Sequence, residues 1–129
     1  MTARLTRSLA AGLLLAGGII HYNLWQGGYR HIPTIGPLFL VNFLGSLALA
    51  GAVLSSRHRL TVTLAGIFFA AGSLVALVLS RTIGVFGFTE TIWTPQAVKT
   101  LLSEAGAIAT LGVALALQLR TPRPATLSR

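Results

Sequence analysis

Four long apolar runs, separated by short polar punctuation, dominate the chain: residues 8–25, 35–54, 60–80 and 97–119. Each is close to the ~20 residues that a helix needs to cross the hydrocarbon core of a bilayer. Backbone polar groups in lipid must be paired within their own segment, and an open strand edge cannot do that, so the pattern predicts helix in all four. SSRHR at 55–59 is too short for anything but a turn, which predicts second and third helices that run antiparallel and side by side. QGGYRHIPT at 26–34 and RTIGVFGFTETIWTPQ at 81–96 form the other two connections, with Pro33 and Pro37 fixing how the second helix starts. The expectation is an all-α, up-down-up-down four-helix transmembrane bundle in a single domain, 1–129, with a flexible basic tail at 120–129.

Composition strengthens this reading. Hydrophobic residues make up 53% of the chain and charged ones 9%, against about 25% charged in a soluble domain. The first run, behind MTARLTR, resembles a secretory leader, but His21, Tyr22 and Asn23 follow it in place of a small-x-small cleavage site, so a retained span is expected. The net charge of +8 lies between the apolar runs and not along one stripe, which argues against nucleic acid as a partner. Arg4, Arg7, Arg57, Arg59, Arg120, Arg123 and Arg129 fall on one side of the predicted bundle, and Arg30, Arg81 and Lys99 on the other. The positive-inside rule therefore predicts a multi-pass protein of the cell membrane with both ends cytoplasmic. Trp25, Tyr29 and Trp93 then lie together at the outer surface as an aromatic belt.

The chain has no cysteine, which removes disulfides, thiolate metal sites and thiol redox chemistry. No phosphate loop, nucleophile elbow, HExxH or calcium loop is present. An enzyme with a nucleophile–base pair is therefore the least favoured class.

Depth supplies the candidate chemistry. Counted at 1.5 Å per residue, His21, Asn42, Ser73 and Glu104 all sit roughly 6–11 Å below the outer surface, one on each helix. An ionisable side chain inside a span is costly and should face the bundle interior with a partner. His21 is the expected partner of Glu104, in a pair able to share a proton, hold a metal or hydrogen-bond a head group. The alternative is a polar layer that only locks the helices together, at about 0.6 kcal/mol per contact. In the first outer loop, Tyr29, Arg30 and His31 are candidates for contact with lipid head groups or a partner protein, as is Arg81 at the start of the third. Arg30 can equally snorkel to the head groups, and an Arg81–Glu90 pair is expected to be exposed and weak. Only His21 lies in a span, so bis-histidine haem is not expected, whereas a single-histidine haem, a quinone, or a metal held by His21, His31 and Glu104 stays open.

Small residues spaced by four, at Gly12 and Ala16, Ala48 and Ala52, Gly66 and Ala70, and Ala105 and Ala109, are expected mainly to pack helices within the bundle, with a homodimer face as the alternative. The run HYNLWQGGYRHIPTIGPLFLVN at 21–42, together with TIGVFGF at 82–88 and SEAG at 103–106, resembles uncharacterised small four-helix membrane proteins of high-GC Gram-positive bacteria. That resemblance implies a four-span bundle and carries no catalytic residue with it. In size and span count alone the chain is also similar to DoxX-type membrane proteins, which are linked to redox complexes. Three functions are then in play: a non-enzymatic accessory subunit of a membrane complex, a ligand-binding or redox-linked module built on His21 and Glu104, and a proton-relay or transport component.

Overall fold

The computed structural model describes residues 2–122; of the tail expected at 120–129, Arg120 ends the fourth helix, and 123–129, with Arg123 and Arg129, lie outside the described residues. Four helices form: α1 Ala3–Gln26, α2 Ile35–Ser55, α3 Arg59–Arg81 and α4 Pro95–Arg120, with a single 3₁₀ turn at Tyr29–His31 between α1 and α2. All four are long and apolar enough to cross a membrane. The chain is a multi-pass helical bundle.

Local chemistry sets the ends. Thr2 caps α1 by accepting from the Leu5 amide, which starts that helix ahead of the apolar run. Thr94 caps α4 in the same way through the Ala97 amide, and Pro95 follows at the first helical position. α2 begins differently. Thr34 has φ 67°, ψ −46°, and the Ile35 amide donates to the Pro33 carbonyl at 2.7 Å, a γ-turn of the rarer, positive-φ form. A β-branched residue there is strained, and the surrounding structure must hold it.

The interior is built from small side chains. Ala10, Ala11, Leu14, Ala50, Val53, Ala70, Ala107 and Leu111 form the buried cluster. Large apolar side chains such as Leu44, Leu47, Phe68, Val75, Leu102 and Val113 point outward. A soluble protein could not carry so continuous an apolar surface. With lipid as solvent the hydrophobic effect offers nothing for burying leucine, so small residues and close backbone approach hold the helices together.

The approaches are only partly where the spacing of four put them. Gly66 and Ala70 are buried, but Gly12, Ala48, Ala105 and Ala109 face outward. A spacing of four marks a face of a helix without saying which way that face turns. A Cβ on Gly66 would lie 2.9 Å from a methyl of Leu111, and close contacts also fall at glycines outside those pairs: a Cβ on Gly18 would lie 2.6 Å from Ser46 Cβ, and one on Gly45 2.6 Å from a ring carbon of Phe69.

α1 packs closely on α2 and α4, and α3 on α4. α2 and α3 are joined by the short turn, as expected, yet touch each other sparsely. Arg7 fills part of the seam at the turn end, donating to the last carbonyls of α2, Val53 at 2.6 and 2.8 Å and Leu54 at 2.9 Å. A guanidinium at a helix C-terminus satisfies orphan carbonyls and opposes the helix dipole. Nothing equivalent closes the seam at the other end.

Candidate functional site

The open seam is a cavity of about 350 Å³ between α2 and α3. Phe39 and Asn42 line it from α2, and Phe69, Gly72 and Ser73 from α3, while His21 contributes from α1 and Ala97 from α4. The α3–α4 loop covers one end with Val85, Phe86 and Phe88. Leu38, Val41 and Phe68 stand at its edge and are themselves exposed, so the cavity opens sideways onto the apolar surface of the bundle. Its size falls in the range of small-molecule sites, as does its makeup of mostly apolar walls with a few convergent polar groups.

One polar group of sites lies at its base. Ser46 donates to Asn42 Oδ1 at 3.4 Å, Asn42 Nδ2 donates to Ser73 Oγ at 2.8 Å, and Ser73 Oγ donates to Glu104 Oε1. Three of the four expected residues, Asn42, Ser73 and Glu104, are therefore hydrogen-bonded in series across α2, α3 and α4. Glu104 is 6% exposed, and its Oε2 has no partner among the described residues.

His21 does not join that series, and its expected pairing with Glu104 is absent. Its Nδ1 bonds the Gly17 carbonyl one turn back on its own helix at 2.8 Å. A carbonyl can only accept, so Nδ1 carries the proton and the neutral ring keeps Nε2 as an acceptor. The ring meets Phe39 edge-on at 5.0 Å, on the wall of the cavity. Glu104 stands one side chain behind that wall, in a small void it shares with Gly17 and Ser103, and reaches the cavity only through Ser73. Nor does the structure gather a metal set: among the described residues no three of His, Asp or Glu come together, which separates His21, His31 and Glu104.

A second polar group roofs the cavity. Tyr29 donates to Glu90 Oε2 at 2.8 Å, and Arg81 Nη1 lies 3.0 Å from the same oxygen. Arg81 also donates to the carbonyls of Glu90 at 2.7 Å and Ile92 at 3.0 Å, with its guanidinium 5.8 Å from the Trp93 ring centre. The expectation of a weak, exposed Arg81–Glu90 pair is overturned: the Arg81 side chain is only 7% exposed. The long loop folds back over the arginine, which turns a surface pair into an anchor. Burial, with the hydrogen bond and charge of Glu90, pushes the Tyr29 phenol up to about 12 against the pull of Arg81, so it remains a donor at neutral pH. Tyr29 also stacks on Phe39 at 5.0 Å and meets Phe88 edge-on at 5.8 Å, tying the first loop to the third over the cavity.

Arg30 and His31, the remaining loop candidates, are exposed and bond each other at 3.1 Å, so they take no part in the cavity. At the opposite end of the bundle the sequence reading passed over Gln118 Nε2, which donates to Thr63 Oγ1 at 2.9 Å. The available signal was a single amide within an otherwise apolar stretch near the end of the fourth run. Scanned against protein-family models, curated proteins and solved structures, the chain matches none.

Proposed function

We propose that this protein is a ligand-binding membrane module that takes the ring of a lipid-soluble aromatic molecule, in class a quinone head group, from the surrounding bilayer. The observation that carries the reading is the lateral cavity between α2 and α3, walled by the rings of Phe39, Phe69 and Phe88 and reached directly from the lipid-facing surface. A flat ring would lie among aromatic side chains, whose faces and edges favour offset or edge-on partners. Its two opposed oxygens would find polar groups at either end: His21 and Asn42 at the base, Tyr29 and Arg81 at the roof. The His21 Nε2 acceptor suits the hydroxyl of the reduced ring. The Asn42–Ser73–Glu104 series links that base to the one carboxyl buried between the helices.

The distribution of arginines supports a place in the cell membrane with both ends cytoplasmic, which puts the cavity in the outer half of the bilayer. An accessory subunit is a compatible second reading, favoured by Ile83 and Ile92 on the loop, which are 82% and 72% exposed. Crosslinking in native membranes tests that second reading, and a chain recovered always alone counts against it.

For the ligand, the purified chain is titrated in detergent with a naphthoquinone bearing a short isoprenoid tail, followed by tryptophan fluorescence. Saturable quenching is expected, weakened by His21→Ala and by Phe39→Ala. Quenching that is linear in quinone and the same in all three proteins would show only partition into the micelle and would remove the reading.

A further inference from the structure

The opposite end of the bundle holds a second site of a different chemistry. Arg7 and Arg59 line one small cavity of about 90 Å³ together with Gln118 and Thr121. Two arginines line it, and among the described residues no carboxylate does. The chain's only acidic side chains are Glu90, on the roof of the other cavity, and Glu104, behind its wall and bonded to Ser73. Arg7 commits Nε and Nη2 to the carbonyls of Val53 and Leu54, which leaves its Nη1 without a partner among the described residues. Arg59 makes no side-chain hydrogen bond among the described residues, although its carbonyl accepts from Thr63 Oγ1 at 2.7 Å.

That last bond fixes the orientation of Gln118. The Thr63 hydroxyl already donates to Arg59, so it can only accept from Gln118. The Gln118 amide must then present its nitrogen to Thr63 and its oxygen elsewhere. Gln118 Oε1 is buried and has no donor among the described residues. The site therefore offers guanidinium donors for an anion beside one acceptor that requires a hydroxyl. Arginine forks suit phosphate oxygens, and a neighbouring hydroxyl on the same ligand would complete Gln118.

We propose that this end of the bundle binds the head group of an anionic lipid that carries both a phosphodiester and a free hydroxyl, in class a phosphoglycerol lipid. The phosphodiester sits between Arg7 Nη1 and Arg59, and the glycerol hydroxyl donates to Gln118 Oε1. A zwitterionic choline lipid fits neither requirement, since it brings a fixed cation to a cationic cavity and no hydroxyl. The site stands apart from the quinone reading and shares no residue with that cavity.

Native mass spectrometry of the full chain released from mixed micelles reads lipid retention directly. Dioleoylphosphatidylglycerol is expected to be retained over dioleoylphosphatidylcholine, and over dioleoylphosphatidylmethanol, which has the same charge but no hydroxyl. Arg59→Gln should weaken the phosphatidylglycerol complex about fivefold, the factor that corresponds to one basic group at an anionic head group. Gln118→Leu should abolish the preference over phosphatidylmethanol while keeping that over phosphatidylcholine. Arg59 is exposed, so its variant keeps the fold and gives a clean reading even if Gln118→Leu does not. Equal retention of phosphatidylglycerol and phosphatidylcholine, or an unchanged complex in Arg59→Gln, overturns the proposal. Displacement of the lipid by soluble glycerol phosphate at equal concentration overturns the assignment to a lipid.

Discussion

Gly72 separates binding in the lateral cavity from stability of the fold. It lies on the α3 wall, and a Cβ added there meets no atom within 4 Å. Gly72→Leu therefore starts a side chain of four heavy atoms from open space, with no clash at its Cβ. Each takes about the room of a water, ~30 Å³, so the side chain occupies roughly a third of the 350 Å³ cavity. Relieving glycine in mid-helix adds up to about 1 kcal/mol of stability. A ring that must share the remaining space meets an overpacked site, and overpacking costs about 1–3 kcal/mol. Quinone affinity should then fall roughly 5- to 150-fold while the thermal midpoint of the ligand-free protein holds or rises. The assay is the fluorescence titration, run beside a circular dichroism melt of the same sample. Wild-type affinity in Gly72→Leu would mean that the ligand sits elsewhere. A lowered melting point would mean that the wall is packed more tightly than its geometry shows.

Other expectations concern the scaffold. Glu90→Gln leaves Arg81 buried without its counter-charge, though with two carbonyl partners, and should destabilise the protein by about 1–3 kcal/mol in urea or thermal unfolding; an unchanged midpoint would show that the roof is not anchored by this pair. Gly18→Ala drives a methyl into Ser46 Cβ and should cost about 1–3 kcal/mol, recovered in large part by adding Ser46→Gly, whereas simple additivity of the two changes would contradict the contact. The Tyr29 phenol titrates higher in the folded chain than in the unfolded one, so its contribution to stability is complete below about pH 10 and is lost as pH rises through about 12. Tyr29→Phe should remove the ionisation step near 12 from the ultraviolet titration of the folded protein, and its persistence would assign that step to another group.

The sequence made the bundle legible because lipid imposes a single demand, about twenty apolar residues per crossing, and four runs met it plainly. Depth was legible in part for the same reason: a fixed rise per residue carries Asn42, Ser73 and Glu104 within hydrogen-bond reach of one another. Rotation about each helix axis was not. The α1 residue beside Ser103 and Glu104 is Gly17, one turn from His21, and the imidazole bonds that Gly17 carbonyl while Ser73 takes the carboxylate. The glycine and alanine pairs divided likewise, since Gly66 faces Leu111 within the bundle, as expected, and Gly12 faces nothing. Arg81 was misjudged because a loop's return path is not written in its hydrophobic pattern. Thr82, Gly84 and Phe86 turn the chain back, with Gly84 and Phe86 at positive φ, and carry Glu90 over the end of α3, where its amide bonds the Ser80 carbonyl at 2.8 Å. The cavity was invisible in sequence because it depends on where α2 and α3 fail to touch.

Photolabelling reads the position of the ligand most directly. An azido-substituted naphthoquinone bound to the purified chain and activated by light should label α2 near Phe39 to Asn42 and α3 near Phe69 to Ser73, with competition by unlabelled quinone. Label spread evenly over the outward faces of α1 and α4, and unaffected by competitor, would contradict a lateral site between α2 and α3.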